Sequence, residues 1–164
     1  MPRPRTLLPI FRESHLELTW ETVEFDDLDG LTLYTLLRVR QEVFVMEQES
    51  IYLDLDGKDL DAVHMLCREG RSLVAYQRCL PPGLSYPESS LGRIVVAPGM
   101  RGRQLGRDLV QRGIDHNLAR WPGHGICISA QSHLQDFYTS MGFTAEGEVY
   151  QEDGIPHRKM RYPA

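Results

Sequence analysis

Residues 93–120 read RIVVAPGMRGRQLGRDLVQRGIDHNLAR. The branched apolar residues at the start predict a strand, and the Pro-Gly pair after them predicts a turn. From about residue 103 to Arg120, an apolar residue recurs at nearly every helical turn, which predicts an amphipathic helix. The stretch therefore predicts a strand and a long helix joined by a turn that contains glycine and arginine.

This turn is strongly basic. Residues 93–112 contain five arginines and one acidic residue, Asp108, within a chain whose net charge is −5. The first turn of a helix leaves N–H donors unpaired and carries a partial positive charge, and Gly102 and Gly106 leave the backbone open to close approach. These features predict a binding site for an anion such as pyrophosphate, with an arginine-rich, solvated helix start as the alternative.

Two common phosphate-binding motifs do not fit this turn. A P-loop requires Lys followed by Ser or Thr directly after its last glycine, whereas Arg107 follows Gly106. A dinucleotide fingerprint requires glycines in the pattern GxGxxG near the start of a βαβ unit, which Gly99, Gly102 and Gly106 do not provide. The helix start itself is therefore the predicted anion site.

The rest of the chain predicts a mixed α/β fold. A capping box formed by Ser132 and Gln135 predicts the start of a short helix, and Gly142 predicts its end. Hairpins are predicted at the Glu69-Gly70 turn and at residues 152–154. We therefore expect a central mixed sheet with helices on both faces. The other predicted elements are a strand over 16–23, a helix over 31–44, an acidic loop over 45–61 and a strand over 125–130.

Composition favours one soluble domain. Hydrophobic residues make up 41% and charged residues 25% of the 164 residues. We expect a flexible arm over residues 1–14 and a single domain over 15–164. The negative net charge argues against nucleic acid and anionic membranes as partners, and no apolar run approaches ~20 residues. The three cysteines form no CxxC pair, and no ligand spacing predicts a metal, so we expect buried thiols and a cytoplasmic location.

Several motifs resemble the GNAT family of N-acetyltransferases. RGRQLG (101–106) is similar to the acetyl-CoA-binding motif of that family, R/Q-x-x-G-x-G/A, with Gln104 where many members have Gly. FYTSMGF (137–143) is similar to the second family signature, and the predicted element order resembles the family fold across nearly the whole chain. The motifs that resemble the ElaA-like branch more narrowly are EVFVMEQ (42–48), DLDGKD (54–59), AQSHLQDFY (130–138) and EDGIPH (152–157).

The resemblance implies acetyl-CoA as co-substrate and a splayed sheet. The strand over 93–96 would run beside the pantetheine arm and diverge from the strand over 125–129, so that pantetheine amides pair with the exposed backbone. The pyrophosphate would reach the turn over 101–107. The cofactor-binding residues implied in this way are Ile94, Val95, Val96, Arg101, Gly102, Arg103, Gln104, Leu105, Gly106 and Arg107.

Acetyl transfer to an amine requires two proton transfers. The leaving thiol has a pKa of about 8.5, so a neutral tyrosine hydroxyl can donate a proton to the departing thiolate. The resemblance places Tyr138 in this general-acid position, although an aromatic at this point of an amphipathic helix can also be a core residue. The amine, with an ordinary pKa of about 10.4 for a lysine-like group, must lose a proton to a base.

The general base is not assigned by the sequence. Glu47 and His64 are candidates because they lie near the acidic segment that adjoins the acceptor side of similar folds, and Glu42 is a further one. His133 and His157 are weaker candidates. For each of them a structural or surface role is the alternative.

The acidic segment 42–61 has two interpretations. It contains seven acidic residues and one lysine, Lys58. It is either a solvated loop or a negatively charged mouth that attracts a cationic amine acceptor.

The resemblance implies an enzyme that acetylates a primary amine by direct attack. The alternative is a non-catalytic module that binds or senses acyl-CoA. The identity of the acceptor is open, and the C-terminal hairpin offers an edge for a possible homodimer.

Overall fold

The computed structural model describes residues 17–164, so the predicted arm over residues 1–14 lies outside the described residues. The strands are β1 (Leu18–Glu24), β2 (Val63–Glu69), β3 (Ser72–Leu80), β4 (Ser90–Val96), β5 (Ile126–Gln131), β6 (Thr144–Glu152) and β7 (Ile155–Tyr162). The helices are α1 (Gly30–Arg40), α2 (Leu105–Arg120) and α3 (Gln135–Ser140).

The strands form two antiparallel sheets that meet at one point. Their orders are β1-β2-β3-β4 and β5-β7-β6. Among residues 17–164, β4 and β5 approach in parallel only at the bridge between Ser89 and Ile126, where the Cys127 N–H donates to the Ser89 carbonyl at 2.8 Å. Beyond this bridge the two strands carry no ladder between them. The predicted mixed, splayed sheet is therefore confirmed.

Helix α2 fixes the point at which the sheets meet. The Asn117 Nδ2 donates to the Ser89 Oγ and to the Ser90 carbonyl, both at 3.1 Å, and the Ser89 Oγ donates to the Gly125 carbonyl at 2.8 Å. Asn117 and Ser89 are fully buried. These bonds join α2 to both strands, so the closed end of the gap between the sheets is held by one side chain of the helix.

The helices cover both faces of the first sheet, as predicted. Side chains alternate along β2 and β3, so one face packs on α2 and the other on α1. On the α2 side Met65 and Ala75 lie in one core with Leu109, and on the α1 side Leu66 lies in a second core with Leu36. All three cysteines are buried and carry free thiols.

Two predicted details are wrong. The helix predicted over 31–44 ends its α-helical part at Arg40 and continues as one π-helical stretch, Gln41–Glu47. The predicted capping box does not form: Ser132 starts a 3-10 turn without a side-chain cap, and the Gln135 Oε1 accepts a hydrogen bond from Arg158 instead. A bond to a distant strand thus replaces the local one.

The turns follow their glycine signals. Gly70 and Gly142 both have a positive φ, at +59° and +103°, and they end β2 and α3 respectively. The last hairpin turns at Asp153 and Gly154, which have φ values of +50° and +79°, as a type I′ turn requires. In the second sheet β6 is an edge strand, and a homodimer through this edge stays a prediction.

Candidate active site

A bulge in β4 marks the start of the site. Tyr76 of β3 pairs with Val95, whereas Arg78 pairs with Gly92, so β4 contains one residue more than its partner between these pairs. Arg93 lies in this bulge with a φ of +51°. Bulges bend a strand and redirect its side chains. Here the bulge coincides with the region in which β4 leaves β5.

A cleft of about 520 Å³ occupies the gap between the two sheets. Its walls come from β4 and its bulge, from β5, from α3 through Tyr138, from the segment before β2, and from the turn between β6 and β7. The β4 and β5 residues that line the cleft are Ser90, Leu91, Gly92, Arg93, Ile94, Ile128, Ser129, Ala130 and Gln131.

The start of α2 offers free backbone donors beyond the end of β4. Gln104 is the N-cap residue and makes no side-chain cap hydrogen bond, so the N–H groups of the first helical turn are not capped by it. Gly102 and Gln104 have φ values of +78° and +62°. The left-handed conformation of Gln104 explains why glycine suits this position in similar proteins, since glycine adopts it without steric cost. Gly106 packs against Val96, with room for a Cβ atom.

The three arginines at this helix start differ in their partners. Arg101 forms a two-bond ion pair with Glu47, with distances of 2.7 and 3.1 Å. Arg107 donates to the Ser140 Oγ at 2.7 Å and so joins α2 to α3. Within the described chain the Arg103 guanidinium has only the Met100 sulfur, at 3.7 Å. Arg103 is therefore the arginine with the most free donors for an anion.

Two of the implied cofactor residues lie in the core. The side chain of Val95 is buried in the core under α1, and that of Leu105 is buried under α2. Only their backbone groups can face a ligand. Ile94, in contrast, lines the cleft with its side chain.

Tyr138 lies in the cleft wall with its hydroxyl free. The residue is only 6% exposed, and among residues 17–164 its hydroxyl has no hydrogen-bond partner. Burial raises the pKa of Tyr138 to about 12, because the phenolate would lose hydration. Tyr138 is thus a neutral donor at any physiological pH.

Neither base candidate named from the sequence is available to an amine in the cleft. Glu47 is held by Arg101, and it does not line the cleft. His64 is fully buried, with its Nδ1 at 2.7 Å from the Tyr76 hydroxyl and its Nε2 at 2.9 Å from the Asp59 carbonyl. Burial lowers the pKa of His64, and the nearby positive charges of Arg40 and Arg78 lower it further. The structure does not bring His64 to Tyr138.

The acidic segment faces inward rather than toward solvent at three of its carboxylates. Arg40 pairs with Asp54 and Asp59 at 2.8 and 2.7 Å, and Arg40 is fully buried. Two further arginines complete the network: Arg78 pairs with Asp56 and Asp59, and Arg93 pairs with Asp54. These ion pairs lower the pKa of Asp56 and of Asp59, against the opposing effect of burial.

The interpretation of this segment as an open negative mouth is therefore wrong for most of its acids. Besides the three aspartates, Glu47 is paired with Arg101, and Glu42 is paired with Arg38 at 2.8 Å. The arginine partners lie up to 39 residues away along the chain, so the sequence pattern of the segment alone could not reveal them. The segment anchors the cleft floor to the sheet.

His157, ranked lower from the sequence, does line the cleft. Its Nδ1 lies 2.8 Å from the Ile155 carbonyl, which can only accept a hydrogen bond, so the Nδ1 of the neutral ring carries the proton. The lone pair on Nε2 is then free to accept one. The motif EDGIPH (152–157) contains the turn that places this ring, and it was the one available sequence signal.

Metal and membrane features were also sought. Residues 17–164 contain no group of three or more His, Cys, Asp or Glu side chains that could hold a metal ion. No helix in this range is long and apolar enough to cross a membrane.

Comparison with known proteins agrees with this geometry. The family model for the acetyltransferase (GNAT) domain matches residues 41–163. Protein ElaA of Escherichia coli K12 is 39% identical over 142 residues, which are 85% of this chain and 93% of that protein. A UPF0039 protein of Synechocystis sp. is 40% identical over 146 residues, which are 88% of this chain and 95% of that protein.

Two solved structures have the same fold at similar identity. The crystal structure of E. coli ElaA superposes with a TM-score of 0.84 at 37% identity, covering 89% of this chain and 99% of that one. An acyl-CoA N-acyltransferase from Pseudomonas aeruginosa also superposes with a TM-score of 0.84, at 38% identity and the same coverage. With its splayed sheet, its uncapped α2 start and these relatives, the chain belongs to the GNAT family of acyltransferases, in the ElaA-like branch.

Proposed function

We propose that this protein is an acetyl-CoA-dependent N-acetyltransferase that acetylates a primary amine by direct attack. The observation that carries the proposal is the cleft itself. It runs between the diverging strands β4 and β5, presents the free hydroxyl of Tyr138, and has the uncapped start of α2 beyond the end of β4. An acyl-CoA requires this combination of an anion site, a slot with unpaired strand edges and a proton donor.

In this proposal the cofactor is bound along β4. The pyrophosphate takes the first N–H groups of α2 together with Arg103, and it competes with Glu47 for Arg101. The pantetheine arm follows the backbone of β4 from Val96 to Ile94. The thioester then lies beside the bulge and Tyr138.

The reaction is a direct displacement. The neutral amine nitrogen attacks the thioester carbonyl, an N–C bond forms, and the C–S bond breaks. Tyr138 donates its proton to the departing thiolate, and its raised pKa keeps that proton available. The nitrogen loses its proton to a base, directly or through water.

His157 is the best-placed base. Its free Nε2 is on the cleft, whereas Glu47 and His64 are held by other partners. A histidine with an unperturbed pKa near 6.5 is mostly neutral at physiological pH, as a base must be.

The thiols support a mechanism without an acyl-enzyme intermediate. Burial raises the pKa of Cys67 and of Cys127 to about 11, and that of Cys79 to about 12. A thiol with so high a pKa is not a nucleophile at neutral pH.

Calorimetry with acetyl-CoA tests the cofactor site. The double variant Arg101→Ala/Arg103→Ala removes both free-standing guanidinium groups and should weaken binding by about tenfold or more, since hydrogen bonds to charged groups contribute about 1.5–3 kcal/mol each. Arg71→Ala/Arg120→Ala is a matched control, because it removes two exposed arginines that lie away from this turn. The control should bind like the wild type.

The calorimetric result also decides between an enzyme and a binding module. No saturable binding by the wild type would overturn the proposal. Binding without release of free CoA in the presence of any amine would instead favour the acyl-CoA-binding module, for which Tyr138 has no chemical role.

A further inference from the structure

The cleft extends past the reacting centre. Strand β4 runs from Ser90 to Val96, so its two ends lie about 20 Å apart. Val96 adjoins the turn that leads to α2, and Ser90 lies at the opposite end, where the sheets meet. The cleft around Ser90 is also lined by Lys58, Ser85 and Tyr86. This half is free for the acceptor when the cofactor occupies the other half.

Lys58 carries the uncompensated positive charge of this half. Its Nζ donates to the Ser85 Oγ at 2.8 Å, and no carboxylate among residues 17–164 pairs with it. The other cations of the cleft floor are paired, Arg78 with Asp56 at 2.6 Å and Arg93 with Asp54 at 2.6 Å. An ammonium group has three donors, so two remain on Lys58 for a ligand.

The second sheet contributes an uncompensated negative charge. Glu152 lines the cleft, and its carboxylate accepts a hydrogen bond from Ser129, which in turn contacts the Tyr150 hydroxyl. Within the described range no lysine, arginine or histidine forms an ion pair with Glu152. The Ser50 Oγ donates to the Asp153 carbonyl at 2.8 Å and fixes the turn that holds both acids.

The two charges come from different sheets and face one cleft. A diamine acceptor would find Glu152 but would place its second ammonium in the half that contains Lys58, where like charges repel. An acceptor with an ammonium and a carboxylate matches both walls. Charge-assisted hydrogen bonds of this kind fix the orientation of a small ligand as well as its affinity.

We propose that the acceptor is a zwitterionic primary amine, such as an amino acid, whose carboxylate is bound by Lys58 and Ser85. Its ammonium is attracted by Glu152 and loses its proton to His157 before attack. This inference rests on the proposed acetyltransferase function and adds the chemical class of its substrate. It replaces the sequence-based expectation of a cationic acceptor.

The test compares matched acceptors. The set of proteinogenic amino acids is assayed by release of free CoA, each as the free acid, the methyl ester and the amine that lacks the carboxylate, together with short diamines. We expect kcat/KM to favour the best free acid over its ester by about tenfold or more, as for a hydrogen bond to a charged group. Lys58→Met should reduce this ratio to near one, and Ser85→Ala should reduce it in part.

Lys159→Met is the matched control. Lys159 is the other lysine of the chain, and its ammonium lies 5.6 Å from the centre of the Tyr86 ring, so this variant removes the same charge from the same neighbourhood. It should keep the preference for the free acid. Thermal unfolding of all three variants separates a lost preference from a lost fold.

Three outcomes would overturn the inference. They are equal use of acid and ester, faster use of diamines than of amino acids, and a Lys58→Met variant that keeps the wild-type ratio. If the wild type binds acetyl-CoA but acetylates none of the free acids, the inference also fails, while the cofactor site stands. Loss of the proposed function is distinguished by the absence of acetyl-CoA binding itself.

Discussion

At the scale of single residues, the Tyr138 hydroxyl is the group on which the chemistry depends most. Tyr138→Phe keeps the ring in the wall of the cleft and removes the donor. We expect kcat to fall by about a hundredfold or more, as for loss of a general acid, with the Kd for acetyl-CoA nearly unchanged. Steady-state kinetics and calorimetry measure the two effects. Equal losses in both would assign Tyr138 a binding role only.

The control for this substitution is Tyr162→Phe. Tyr162 packs on Phe143 outside the cleft lining, so removal of its hydroxyl should leave turnover close to that of the wild type. Because burial raises the pKa of Tyr138 to about 12, the proton donor should persist well above pH 10. An activity loss centred near pH 10 that Tyr138→Phe abolishes would contradict this environment.

Gln104 is a second decisive residue, for reasons of backbone geometry. Its φ of +62° places it in the left-handed region, which costs an ordinary L-residue about 1–2 kcal/mol and a β-branched residue more. Gln104→Val should therefore lower the free energy of unfolding by about 1–2 kcal/mol, whereas Gln104→Gly should not. Urea unfolding of the two variants measures the difference, and equal stability would show that the turn relaxes out of this conformation.

At the scale of elements, the Asn117 side chain of α2 determines where β4 and β5 separate. Asn117→Leu conserves the volume but leaves the buried Ser89 hydroxyl and the Ser90 carbonyl without their donor. We expect a loss of about 2–3 kcal/mol in the free energy of unfolding, measured in urea, because unpaired buried polar groups cost about 1–3 kcal/mol each. Gln111→Leu on the exposed face of α2 is the control, and a similar loss there would refute the role of Asn117.

Elements governed by local sequence were predictable, and those governed by distant partners were not. The strand, turn and helix over 93–120 follow from periodicity, glycine and the Pro-Gly pair, all of which act within a few residues. The capping box failed because Arg158, on β7, takes the Gln135 side chain. Likewise the acidic segment looked solvated because Arg40, Arg78 and Arg93 reach its carboxylates only in the folded chain. His157 enters the site through the same kind of long-range packing.

At the scale of the whole molecule, the buried network makes stability depend on pH. His64 has a lowered pKa in the folded state, so between that pKa and about 6.5 the unfolded chain binds more protons than the folded chain. Stability is therefore fully present above pH 6.5 and is lost as the pH falls through the folded pKa. Asp56 and Asp59 also have lowered pKa values, so their contribution is present above about pH 4 and is lost below it.

Two acid-induced losses of stability should therefore be separable. In urea titrations between pH 8 and 3, the wild type should lose stability first below pH 6.5 and again below pH 4. His64→Gln should remove the first loss and keep the second, because glutamine does not titrate and the ion pairs of Asp59 remain. His124→Gln, at an exposed position, should keep both losses. If the wild type shows no loss between pH 6.5 and 4.5, His64 is not held neutral by its burial, and the account of the network given by its geometry fails at that residue.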